Sequence, residues 1–134
     1  MNEPQRHRDT EIEERDPLTR QIIGAAIEVH RILGPGLLEA IYEKALCIEL
    51  DARGVKYAKQ VRVPAIYKGR SIGNYYVDLI VENAVVVEVK SVVPVAPVFE
   101  AQLITYMKLT KKRRGLLLNF HSPVLKDGIT RRVL

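Results

Sequence analysis

The segment Ala84–Val92 (AVVVEVKSV) carries five valines in nine positions. β-Branched side chains are stiff and pack best on a pleated surface, so this stretch is a strand. Side chains alternate along it: Val85, Val87 and Val89 share one face, and Val86, Glu88 and Lys90 share the other. Two charged groups thus interrupt a face that valine would otherwise bury. Downstream, Gly115–Phe120 (GLLLNF) is a short apolar run that reads as a strand buried on both faces. Between the two, Pro94 and Pro97 introduce a helix covering about Val98–Thr110. A helix linking two strands predicts a right-handed crossover with the strands parallel.

The upstream half is first helical and then extended. Asp16 is a natural N-cap with Pro17 at the first helical position, followed by Ile22, Ile23, Ala26, Ile27, Val29 and Leu33 at helical spacing. Gly34-Pro35-Gly36 ends that helix, and a second runs from about Leu37 to Arg53, with Gly54 as its cap. Val61, Val63, Ala65 and Tyr67 then alternate, and Pro64 assigns their strand to a sheet edge. Gly69 turns the chain into a strand around Ile72–Val81, and Glu82-Asn83 turns it again into the valine strand. Residues 129–134 add a last edge strand. The expected order is helix, helix, three strands, helix, strand. The polar residues 1–16 read as a disordered N-terminal tail, and residues 17–134 as one domain.

Composition narrows the partners. The chain is 47% apolar and 28% charged, with a net charge of +5. Residues 1–16 hold six acids and three bases, a balance of −3, which leaves +8 on residues 17–134. A basic body favours polyanions. No apolar run approaches the roughly 18 residues that span a bilayer, so no membrane partner is expected. The charged N-terminus lacks the apolar segment of a signal peptide, so a cytoplasmic protein is expected. Cys47 is the sole cysteine, which excludes an internal disulfide or a thiolate zinc cluster.

Three ionisable residues stand where a sheet should pack apolar groups: Asp78, Glu88 and Lys90. Tyr76, Asp78 and Ile80 share a face in an ideal strand. If Glu82-Asn83-Ala84 form a three-residue loop, Val81 pairs with Val85 and Asp78 lies across from Glu88, with Cβ atoms about 4.5–5.5 Å apart. A two-residue loop without a bulge separates the two carboxylates onto opposite faces. Opposed carboxylates repel, and a divalent cation removes that cost; oxygen ligands select Mg²⁺ or Mn²⁺ over zinc. Lys90 then stands ready to orient a water and stabilise charge developing on a phosphate. The competing reading is an Asp–Lys–Glu ion network on a solvated face. Glu39 points along a helical stripe with Tyr42, Glu43, Leu46 and Leu50, either toward such a site or as a first-turn acid complementing the helix dipole. On the third helix, Gln102 and Tyr106 fall with Val98 and Leu109 inside the apolar arc, as local partners or as contacts to a phosphate or base. Lys111-Lys112-Arg113-Arg114 is either a nucleic-acid contact or a solvated turn.

The segment GPGLLEAIYEKAL, with Gly36, Glu39, Tyr42 and Glu43, resembles the signature of the GxxExxY proteins of the PD-(D/E)XK nuclease superfamily. EVHRILGPG, VDLIVEN, VVVEVKSV, AQLITYMK and GLLLNF extend the resemblance from about Leu18 to Val133. Val77 stands where the motif usually has proline, and His121 where glycine is expected. The resemblance implies an α/β restriction-endonuclease-like core: a helix, a three-stranded antiparallel meander, a crossover helix and a parallel strand. It implies metal ligation by Asp78, Glu88 and the Val89 carbonyl with support from Glu39, and a catalytic role for Lys90. Gln102 and Tyr106 match a Q-x₃-Y element, and His30 falls near a position where some relatives place a metal-binding histidine. A helix-capping core histidine is the other reading of His30. The substrate does not come with the resemblance; the leading expectation from the residues together is metal-dependent phosphodiester hydrolysis of DNA, with a homodimer or a larger protein as the expected partner. The alternatives are a non-catalytic nucleic-acid-binding or assembly module that keeps the fold, and a protein-interaction domain binding neither metal nor DNA.

Overall fold

Asp16 opens the first helix as its side chain requires: Oδ1 accepts from the Leu18 amide at 3.1 Å and Oδ2 from the Thr19 hydroxyl at 2.7 Å. This computed structural model describes residues 16–93 and 95–134. Apart from Asp16, the tail expected for residues 1–16 lies outside the described residues, as does Pro94. The elements are α1 (Pro17–Leu33), α2 (Glu39–Ala52), β1 (Tyr57–Tyr67), β2 (Arg70–Val81), β3 (Val85–Lys90), α3 (Pro97–Thr110), β4 (Arg114–Asn119), a 3₁₀ turn (Leu125–Gly128) and β5 (Ile129–Val133). Sequence order predicts this series apart from the 3₁₀ turn, which is one turn long and carries no periodic signal.

The five strands lie in the order β1-β2-β3-β4-β5. Every pair is antiparallel except β3 with β4, which α3 joins as a parallel crossover. Both ends of the sheet are edges, which suits Pro64 in β1. Helices cover both faces, so β3 and β4 are buried on both sides and read as continuous apolar runs. On one face, Ile22, Ala26, Val29, Leu46 and Leu50 of α1 and α2 pack on Leu79, Val85, Val87, Val89, Leu116 and Leu118. On the other, Leu103, Tyr106 and Met107 of α3 pack on Val63, Val77, Ile80, Val86 and Leu117. Fully burying each Val or Leu contributes roughly 1.5–3 kcal/mol. Gly115 lets α3 approach closely, since a Cβ there would meet Met107 Sδ at 2.5 Å.

Two expectations about faces are corrected. Val98 and Leu109 are 64% and 45% exposed, so they are not part of a buried arc with Gln102 and Tyr106. Apolar residues encircle α3, and only Leu103, Tyr106 and Met107 are deeply buried. Tyr76, Asp78 and Ile80 also do not form one uniform face. Val77 and Ile80 both pack beneath α3, whereas Leu79 packs beneath α1 and α2. Strict alternation fails because the β1–β2 ladder skips the pair Gln60/Asp78, where Gln60 adopts φ 49°.

Candidate active site

The β2–β3 register settles the loop length left open by the sequence. Val81 pairs with Val85, so Glu82, Asn83 and Ala84 form a three-residue connection, with left-handed φ values of 50° and 53° at Glu82 and Asn83. Extending that register sets Asp78 opposite Glu88, but the ladder ends one step earlier, at Leu79↔Val87. There the side chains take over from the backbone. Glu88 Oε2 accepts from the Asp78 amide at 2.8 Å, and Asp78 Oδ2 accepts from the Val89 amide at 2.8 Å. The two carboxyl groups form a reciprocal clasp just beyond the last backbone pair of β2 and β3.

Glu88 is only 4% exposed. Burial, and after it the negative charge of Asp78, pushes its carboxyl up to about 8. The backbone amide and Lys90 oppose that shift without cancelling it. Tyr106 of α3 is buried, and desolvation followed by the charges of Glu88 and Asp78 raises its phenol. Its ring meets Tyr75 edge-on at 5.7 Å. Lys90 extends along the α3 side, with Nζ 4.6 Å from the centre of the Phe99 ring. Gln102 is half-buried one helical turn before Tyr106, and its amide makes no hydrogen bond among the described residues.

The carboxylate that α2 contributes is Glu43. Gln60 Nε2 donates to Glu43 Oε1 at 2.8 Å and, more weakly, to Asp78 Oδ1 at 3.3 Å. Burial raises the Glu43 carboxyl, with Asp78 and Glu39 adding to the rise and the Gln60 hydrogen bond opposing it. Glu39 lies one turn earlier, exposed, and is not joined to the clasp. Sequence reading missed Gln60 altogether. A glutamine in an edge strand carries no signal, and its left-handed backbone is visible only in three dimensions.

The motif tyrosine has a different task. Tyr42 is fully buried and stacks on Phe120, with ring centres 4.5 Å apart. Its hydroxyl accepts from the Leu37 amide at 3.0 Å and donates to the Gly34 carbonyl. Ser91 Oγ donates to the Leu37 carbonyl at 2.6 Å, tying the same loop to the exit of β3. Gly36 holds φ 98°, a conformation that L side chains rarely adopt. His30 Nε2 bonds the Ser122 carbonyl at 2.8 Å, so its ring holds the chain beyond β4 in place. Cys47 is buried and free, and desolvation raises its thiol.

The basic run is not brought to the clasp. Arg114 pairs with Val85 at the opening of the parallel strands, whereas Glu88 and Lys90 lie toward their far end. Lys112 Nζ donates to Asn83 Oδ1 at 2.9 Å, Arg113 Nε to the Leu134 carbonyl at 3.1 Å, and Arg114 pairs with Asp16. Lys111 is exposed at the end of α3.

An acid at the end of β2, followed by E-x-K in β3, stands against a crossover helix in a mixed α/β sheet. A family model described as the PD-(D/E)XK nuclease superfamily matches residues 16–132. The chain belongs to that superfamily. No curated protein and no solved structure matches it. PD-(D/E)XK nucleases generally use divalent metal ions. The donor chemistry fits such an ion: two hard-oxygen carboxyl groups stand together, each with an oxygen beyond the one its amide partner uses. Among the described residues no three His, Cys, Asp or Glu side chains converge to form a cage. Completing an oxygen shell would fall to water and backbone carbonyl groups.

Proposed function

We propose that the chain is a metal-dependent nuclease of the GxxExxY kind that hydrolyses phosphodiester bonds in DNA. The carrying observation is the reciprocal Asp78–Glu88 clasp, which keeps two carboxyl groups together at the point where backbone pairing gives way. In this reading Asp78, Glu88 and the Val89 carbonyl hold Mg²⁺ or Mn²⁺. Glu43, linked through Gln60, and Glu39 one turn away add negative potential from α2. When bound, the ion supplies Lewis-acid polarisation of the phosphate and a more acidic water. Lys90 orients the attacking water and offsets charge growing on the phosphate, while Gln102 and Tyr106 bound the substrate side. Lys111, Lys112, Arg113 and Arg114 remain outlying contacts for longer nucleic acid. The chain would act in the cytoplasm, alone, as a homodimer or with a larger partner.

One observation favours a second reading, a non-catalytic nucleic-acid-binding or assembly module. The Lys90 ammonium rests on the Phe99 ring, a contact that also suits a purely structural lysine. Cleavage assays on duplex, branched and single-stranded DNA with Mg²⁺ or Mn²⁺ separate the two. Asp78→Asn and Lys90→Ala should each lower the rate at least ~10²-fold without unfolding the protein. Cleavage that survives both substitutions would overturn the mechanism. Metal-independent DNA binding with no cleavage of any substrate would favour the module.

A further inference from the structure

The β1–β2 hairpin outruns the rest of the sheet. β3 pairs only with Leu79, Ile80 and Val81 of β2, so the strands from Val61 to Val77 pair with each other alone. The root of this ribbon is fixed: Val63 and Val77 are buried beneath α3, and Tyr75 rests against Tyr106. Beyond the root, every residue from Ile66 to Asn74 is exposed. Eight residues separate Arg70 from Asp78, roughly 26 Å of strand.

The ribbon is also chemically one-sided. Residues 57–77 contain Lys59, Arg62, Lys68 and Arg70 and no Asp or Glu. Arg62 pairs in register with Tyr76, which is 52% exposed, on the face opposite Val63. At the tip, Lys68 Nζ lies 5.6 Å from the centre of the exposed Tyr67 ring. From Arg62 to Arg70 this apolar-aromatic surface carries cations and no Asp or Glu of its own, and it continues along β2 directly into Asp78. A two-stranded ribbon is one of the shapes that the major groove of B-DNA admits, and its phosphates complement these cations.

We propose that the β1–β2 ribbon is the duplex-DNA grip, holding the backbone so that it leads into the Asp78–Glu88 clasp. This rests on the nuclease reading for its orientation but is tested separately from it. The test is fluorescence anisotropy of a labelled duplex in EDTA over a salt series, with the same proteins assayed for cleavage in Mn²⁺. A variant combining Arg62→Ala, Lys68→Ala and Arg70→Ala should weaken binding at least about tenfold and flatten the slope of log K against log salt by about 2–3. Its circular dichroism should be unchanged, and Lys111→Ala with Lys112→Ala should have a smaller effect. Wild type that binds duplex through the ribbon yet never cleaves upholds the grip and removes the hydrolase reading. Wild type that cleaves while the ribbon variant binds unchanged overturns the grip and leaves the nuclease intact. Wild type with no duplex affinity overturns the grip. So does sedimentation showing a dimer that Ile66→Ser with Ile72→Ser dissolves while DNA binding is unchanged, since the ribbon would then serve a second copy.

Discussion

The two ends of the β3–β4 strand pair treat charge in opposite ways. At the opening end, Lys112, Arg113 and Arg114 each find an oxygen on Asn83, Leu134 or Asp16, so cations are spent on local anchoring. At the far end, Asp78 and Glu88 take backbone amides as partners, and two carboxyl groups remain side by side, with Glu88 raised by its burial and then by the charge of Asp78. The first arrangement ties down a turn, the start of α1 and Leu134. The second stores electrostatic cost at a fixed point, a pattern more typical of sites that meet an ion or substrate than of simple scaffolding. A dense basic run is therefore a poorer guide to the candidate site than two isolated acids in a valine-rich sheet.

The comparison is sharpened most by Glu88. Its folded carboxyl is raised to about 8, above the ordinary 4.5. Between those values the folded state holds more protons than the unfolded one, so stability is fully present below the lower value and falls as pH rises through the upper. With divalent ions chelated, the melting temperature should fall from pH 5.5 to pH 8. Glu88→Gln should flatten that profile and raise stability at pH 8 on the order of 2–3 kcal/mol. Mn²⁺ should restore wild type at pH 8 and leave the variant unchanged. Equal slopes in the two proteins would show that the far end stores no such cost.

A smaller effect is expected from Tyr42→Phe. It keeps the stack on Phe120 but strips the Gly34 carbonyl and Leu37 amide of their shared hydroxyl, at a cost of about 1–3 kcal/mol by urea denaturation. Amide exchange should quicken in residues 34–38 if the hydroxyl is what holds that loop against β3. Unchanged exchange there would assign the tyrosine to core packing alone.

The smallest effect belongs to the opening end. Asp16→Ala removes the α1 cap and the Arg114 partner and should cost about 1 kcal/mol. Burial works to raise the Asp16 carboxyl, but the Thr19 and Arg114 contacts outweigh it and leave it below the usual carboxylate range. Its contribution is thus present at neutral pH and lost as pH falls through that depressed value. The proposed cleavage activity should be unaffected. A loss of cleavage would show that the two ends are not independent.

Much of this molecule follows from local chemistry that a reader of the sequence can apply. Asp16-Pro17 starts α1 because a carboxylate can cap free amides and proline needs no donor. The valine run is a strand because β-branched residues pack on a pleat. A helix between two buried strands implies a parallel crossover, and the D-x₉-E-x-K spacing marks the acids. What the sequence left open depended on contacts between distant segments. The β2–β3 loop length decided whether Asp78 and Glu88 met, and either length was compatible with Glu82-Asn83. The exchange of faces at Gln60 and Asp78 depends on a left-handed residue in a neighbouring strand, which no alternation pattern records. That exchange brought Glu43, rather than Glu39, to the clasp through a glutamine eighteen residues from Asp78. The basic run is conspicuous in one dimension, but strand pairing set it at the other end of the sheet. Short-range preferences act through neighbouring residues and are written in the sequence. The placement of charges against one another is set by register, twist and crossover, which exist only once the chain has packed.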